Sequence, residues 1–318
     1  MRFLFIFLVF CFCGRGELSA QPDSTFIELF PNLARINTGL RYRDRSLELK
    51  TSAGEEFTLE NRDLAFRLGG RYKFASYTLS VPIADLTATA DEDRIRNFGL
   101  GLTLFMRQNL VSGSFRSTRG FRSITPEGER TFRDDVDLFS LTLYGFHVFN
   151  NRRFSLRSSF KQRDRQLKTS GSFIGGMLFD RRRLRTDGLV IPLDNGEEEL
   201  LTRLAQTKVG LGIGYAHTFM LGKRVFITPF AVVGPEFRFV YFDAVNGGKR
   251  QSDLHVSPRL RGYLAFGWNG DKTAISLSTL YLPGLDITDN LDTRFNNFTV
   301  ELRVTKRFLY PNQKKKPR

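Results

Sequence analysis

Past residue 20 the chain has no cysteine, since Cys11 and Cys13 both lie ahead of that point. That excludes disulfides, thiolate metal sites and a cysteine nucleophile from everything downstream. Long apolar runs are missing too: beyond Ala20 nothing approaches the roughly 20 apolar residues that a transmembrane helix needs. Histidine is scarce, with only His147, His217 and His255, so base catalysis has few candidates. Acidic residues are in deficit, 33 against 48 Lys and Arg. What is abundant is phenylalanine (32) and glycine (28), with hydrophobic residues at only 41%. A soluble α/β enzyme carries more Ala, Leu and Met, whereas antiparallel all-β architectures place aromatics on their strands.

The first 20 residues have the form of a cleaved secretory signal. Met1-Arg2 gives a basic start, Phe3 to Cys13 is apolar, and Leu18-Ser19-Ala20 offers small residues before Gln21. The apolar run is too short to span a bilayer. Losing Arg2, Arg15 and Glu17 lowers the formal charge from +15 to +14. Such a surplus often signals nucleic acid, but export points instead to lipid phosphate, lipopolysaccharide or small anions.

Strict alternation organises the remainder. Ile36, Thr38, Leu40 and Tyr42 interleave with Arg35, Asn37, Gly39, Arg41 and Arg43. The same pattern sets Leu64, Phe66, Leu68 and Tyr72 against Arg67, Gly69, Arg71 and Lys73, and Phe98 to Met106 against Gly99 to Arg107. It recurs at Phe154, Leu156, Ser158 and Phe160 against Arg153, Arg157 and Lys161. Val209 to Tyr215 and Phe298 to Phe308 complete the set. Large apolar residues alternating with arginine suit a barrel that faces lipid outside and a wet, basic lumen inside. The expectation is an all-β, transmembrane, antiparallel up-and-down β-barrel of about 12–14 strands over residues 21–310, with a basic tail at 311–318.

Tight turns are expected near Ala75, Gln108-Asn109, Asn150-Asn151, Gly222-Lys223 and Asn269-Gly270-Asp271. Longer loops are expected at Asp85 to Arg94, Thr118 to Asp135, Arg163 to Thr169, Asn195 to Thr202, Asp243 to Asp253 and Asp286 to Thr293. Putting every tight turn on one side gives about 14 strands if Asp187 to Leu193 is a separate short strand, and about 12 if it is not. Phe308 would serve as the aromatic near the end that barrel assembly machinery reads.

The stretch from Asn150 to Phe179 resembles a Bacteroidetes outer-membrane barrel family catalogued as a domain of unknown function (4421). Asn150, Asn151, Arg153, Phe154 and Ser155 fit its opening. Gln166, Lys168, Ser170, Gly171, Ser172, Phe173, Gly175 and Gly176 fit the remainder of the motif. Phe26-Ile27-Glu28 and Gly214-Tyr215-Ala216-His217-Thr218 extend the likeness over most of the chain, with His217 where tyrosine is commoner. The resemblance implies a barrel in the outer membrane and brings no activity, cofactor or catalytic residue.

Two residue sets stand out. Arg35, Arg41, Arg43, Arg67, Arg71, Lys73, Arg107, Arg153, Arg157 and Lys161 are expected to line a basic lumen. They would either set anion preference in a narrow pore or pair with lumen acids such as Glu301 into a packed core. Arg181, Arg182, Arg183 and Arg185 form a cluster for lipid phosphate or for interfacial anchoring. The three histidines look like interfacial residues near strand ends, with no Ser or Asp spaced to pair with them. The expectation is a non-enzymatic barrel without cofactor or metal, serving structure, interaction or a narrow pore. The rivals are a membrane-embedded hydrolase or acyl transferase acting on lipid, and a secreted soluble β-protein.

Overall fold

The computed structural model describes residues 21–30, 33–51, 56–72, 75–86, 96–106, 108–125, 128–192, 198–244, 249–251, 254–284 and 291–309. The signal segment 1–20, the tail 311–318, Lys73 and Arg107 lie outside the described residues.

Short β1 (Ile27–Leu29) precedes β2 (Leu33–Thr51), β3 (Glu56–Tyr72), β4 (Ala75–Asp85) and β5 (Arg96–Phe105). Next come β6 (Asn109–Ile124), β7 (Arg130–Val148), a helix α1 (Leu156–Lys161) and β8 (Asp164–Gln166). The chain continues through β9 (Ser170–Pro192), β10 (Glu198–Met220), β11 (Val225–Ala244) and β12 (Lys249–Gln251). It ends with β13 (His255–Asn269), β14 (Thr273–Leu282) and β15 (Leu291–Leu309). Among the described residues twelve long strands pair in chain order, β15 returns to β2 and β10 joins β11, so the antiparallel ring closes. Closure satisfies every strand edge, the condition for a sheet in hydrocarbon.

Side chains invert the rule for soluble proteins. Ile36, Leu40, Phe66, Leu68, Leu100 and Leu302 face outward and are exposed, while Arg35, Arg43, Arg67 and Arg303 face inward and are buried. The ring is thus a transmembrane up-and-down β-barrel, and the period-two reading of the wall holds. At one end lie short connections and both ends of the ring's chain: Tyr72 to Ala75, Phe105 to Asn109, Met220 to Val225 and Asn269 to Thr273. The opposite end is taller. Strands β4, β5 and β14 have 10 or 11 residues, enough to cross a bilayer core, whereas β9 and β10 have 23. Above the β4–β5 hairpin, β3 pairs directly with β6 at Thr58–Ile124 and Leu59–Ser123, which draws the ring in.

Four expectations are corrected. Residues 154–161 are not a strand: Leu156 and Phe160, spaced by four, lie on one face of α1 and are both buried. Arg163 to Thr169 is not a loop at the tall end, because it follows α1 at the end of short turns. Most of Thr118 to Asp135 belongs to β6 and β7, and residues 187–192 simply continue β9.

Candidate functional site

The connection between β7 and β9 folds into the barrel and closes it as a plug. The chain turns at Asn150, whose side-chain amide donates to the Gly171 carbonyl at 2.9 Å. It enters α1 after Ser155, whose N–H bonds Gln166 Oε1 at 3.0 Å and whose hydroxyl donates to Asp164 at 2.9 Å. Arg157 grips the same Asp164 carboxylate at 2.8 Å. The helix stops at Gln162, which takes the left-handed conformation (φ 47°). Strand β8 then pairs antiparallel with β1, Ile27 opposite Gln166 and Leu29 opposite Asp164. Two of the three sequence stretches that resemble the family, Phe26 to Glu28 and Asn150 to Phe179, therefore meet in this plug.

Apolar packing and wall arginines hold it. Phe154, Leu156 and Phe160 pack with Phe105, Phe146, Ile174 and Phe230 of the wall, and Phe160 stacks on Tyr263 at 4.0 Å between ring centroids. A helix C-terminus leaves carbonyls without intrahelical donors. Here Arg303 donates to the Phe160 carbonyl, Arg35 to that of Lys161 and Arg307 to that of Gln162. Cations at this end also oppose the helix dipole favourably. At the outer rim of the plug Arg165 bridges Glu28 and Asp271. The Asp271 carboxyl, in the β13–β14 turn, sits below its ordinary pKa, chiefly through the hydrogen bond from Arg165.

Above α1 the lumen keeps a cavity of about 290 Å³. Its other limit is an inward apolar layer in which Leu47, Leu59, Phe121, Leu138, Leu184 and Val240 meet from six strands. Among the described residues Arg41, Arg45, Arg67, Arg116, Lys161, Arg182, Lys208, Arg259, Arg261 and Arg303 line the cavity, against three carboxylates, Asp180, Glu236 and Glu301. Glu301 is shared by Arg41 at 2.9 Å, by Arg303 and by Arg67. Asp180 takes Arg182 at 2.7 Å, and Glu236 takes Lys208 at 3.0 Å. Arg261 lies over the Tyr144 ring at 4.3 Å. Among the described residues Arg116 and Lys161 make no ion pair, and Arg116 Nε has no hydrogen-bond partner. Removing an ion from water costs several kcal/mol even after relaxation, so this chamber carries uncompensated positive charge.

The sequence-derived residues divide. Arg35, Arg41, Arg43, Arg67 and Arg71 lie on the inner wall; Arg43 pairs with Asp63 at 2.5 Å and Arg71 reaches the Phe30 carbonyl. Of these, Arg41 and Arg67 pair with Glu301. Lys161 reaches the lumen cavity from α1 rather than from a strand, Arg157 stays within the plug on Asp164, and Arg153 is exposed, over the Phe26 ring. The four-arginine cluster is split by the pleat: Arg182 points inward over Phe295, while Arg181, Arg183 and Arg185 point outward. Arg45, Arg116, Lys208, Arg259 and Arg261 were missed, although carrying the alternation through Pro258 to Phe266 would have found the last two. No histidine lines the chamber. His147 bonds Asn109 at 2.7 Å and His217 bonds the Tyr215 hydroxyl at 3.1 Å, both among outward aromatics.

Residues 21–308 match the family described as Domain of unknown function (DUF4421), and the chain belongs to it. No curated protein matches. Among solved structures, the translocator domain of autotransporter NalP from Neisseria meningitidis is similar, with TM-score 0.45, 12% identity, and 86% of this chain and 88% of that one covered. The outer membrane protease OmpT from Escherichia coli matches with TM-score 0.41 and 8% identity, over 87% of this chain and 97% of that one. The beta domain of the Bordetella autotransporter BrkA matches with TM-score 0.39 and 14% identity, over 84% and 98%.

Proposed function

We propose that this member of the DUF4421 family is a non-enzymatic barrel of the outer membrane that binds an anionic ligand in its lumen and does not conduct as an open pore. The apolar outer belt supports the location, with the short turns and the plug toward the periplasm by the usual polarity of such barrels. The observation that carries the reading is the chamber itself: among the described residues its lining sets ten basic groups against three acids. A ligand with several negative charges would supply the missing compensation, and guanidinium forks suit phosphate, sulfate or carboxylate. The stapled plug favours binding over passage. Against catalysis stand the lack of any histidine in the chamber's described lining and the ion pairing of its carboxylates Asp180, Glu236 and Glu301.

Calorimetry with inorganic pyrophosphate as probe tests the ligand, and planar bilayers test the closure. The purified protein is expected to bind the probe, R116Q to bind it at least tenfold more weakly, and neither to give steady conductance steps. Stable steps from the unmodified barrel would refute the closed chamber; equal affinity in R116Q would refute the anion site.

A further inference from the structure

The outer wall carries a second basic feature that the chamber does not use. Arg181, Arg183 and Arg185 occupy three successive outward positions on β9, directly after the outward Phe173, Met177 and Phe179 on the same strand. Across the ladder Arg203 of β10 stands opposite Arg185, with Ala205 opposite Arg183. On the other side Leu141 and Phe139 of β7 face Arg181 and Arg183, and Phe139 continues into an edge-to-face contact with Phe115 at 5.2 Å. Each arginine thus sits against apolar wall while its charged head points away from the barrel.

Some outward cations near the tall end have acids: Arg62 meets Asp44 and Glu60, both at 3.3 Å, and Arg203 meets Asp243 at 3.4 Å. Among the described residues Arg181, Arg183 and Arg185 have neither an ion pair nor a hydrogen bond, and the charges acting on Arg183 are Arg203, Arg185 and Arg181. About 10 residues of β9 cross the hydrocarbon, counted from Ser170 at the end of short turns, which brings these three to the level of headgroups on the far side.

We propose that Arg181, Arg183 and Arg185, with Arg203 beside them, hold the phosphate groups of outer-leaflet lipid, whose acyl chains lie against Phe179, Met177 and Phe173. Planar guanidinium groups bind phosphate bidentately, and clustering lets one headgroup take several forks. The site is independent of the chamber, because the pleat sends Arg182 to the opposite side of the wall.

That separation supplies the control. The purified full chain in detergent is titrated with a diphosphorylated glycolipid, with its dephosphorylated form, and with inorganic phosphate, and bound lipid is counted by native mass spectrometry. The variant R181Q/R183Q/R185Q is expected to bind the phosphorylated glycolipid at least tenfold more weakly, and R182Q to bind it as the unmodified protein does. Equal binding by the triple variant, or of the dephosphorylated lipid, overturns the proposal. Competition by inorganic phosphate at matched concentration overturns the lipid as source. A loss in R182Q alone assigns the binding to the chamber instead. Should the triple variant fail to show heat-modifiable migration, R183Q carries the test: a threefold or greater weakening is expected, and no change refutes the site.

Discussion

The wall and the plug solve the same problem, the satisfaction of backbone polar groups, in different ways. In the wall each strand pairs with two neighbours around a closed ring, so side chains need only suit lipid on one face and the lumen on the other. In the plug six helical residues and a three-residue strand leave carbonyls unpaired, and the wall supplies Arg35, Arg303 and Arg307 to meet them. Hydrogen bonds to charged groups contribute roughly 1.5–3 kcal/mol each. The plug is therefore stable only inside this ring, whereas the ring closes without help from the plug.

The largest expected effect belongs to the group the two regions share. Glu301→Ala strands Arg41, Arg67 and Arg303 without their carboxylate, at a cost on the order of 3–5 kcal/mol. The urea midpoint followed by heat-modifiable migration should fall, with plug amides exchanging faster in parallel. Next, Phe160→Ala empties the stack on Tyr263 and should cost about 3 kcal/mol, confined to the plug. Hydrogen exchange at residues 156–166 should rise while β2 and β15 stay protected; joint loss of protection would erase the distinction between the regions. Leu302→Arg does the reverse, placing a charge on the lipid face at about 2–3 kcal/mol, with exchange rising in β14, β15 and β2 before the plug.

The smallest effect is one of pH. Asp271 has its folded-state pKa depressed, first by the hydrogen bond from Arg165. Its contribution is accordingly complete above the unfolded carboxylate value of about 3.9 and is lost as pH falls through the lower folded value. Trypsin cleavage after Arg165 in detergent should thus be flat from neutral pH to about 4 in any pre-incubation, and rise only after exposure below that. A rise already at pH 6 would contradict the assignment.

The wall was legible because alternation is a local property. Each strand's lipid face announced itself, and Arg35, Arg41, Arg43, Arg67 and Glu301 followed from parity alone. The plug was not, and α1 shows why. Phe154, Leu156 and Phe160 satisfy a period of two, yet Leu156 and Phe160 equally satisfy the helical spacing of four. What argued against a strand was polarity: Ser158, at a position that would face lipid, and the adjoining Ser159 instead lie buried against the lumen, with Ser159 in reach of Thr228 at 2.7 Å. The outward arginine site was half visible. Adjacent arginines looked like one cluster until the pleat separated Arg182 from its neighbours. Arg259 and Arg261 needed only the same alternation carried on through Pro258 to Phe266; that they share one chamber with Arg116 of β6 follows from distant strands converging across the ring, which no local pattern records.

Leu29 ends the strand that anchors the plug, and Leu33 begins the strand that meets β15 at the barrel's seam. The cork and the zipper therefore hang on one short tether. Assembly has to bring Ile27 to a partner 139 positions away, Gln166, and Leu33 to one near the far end of the chain, Leu309, so late, long-range steps govern both. A tug on the segment ahead of Ile27 would be felt by the cork first, and with little slack by the zipper next.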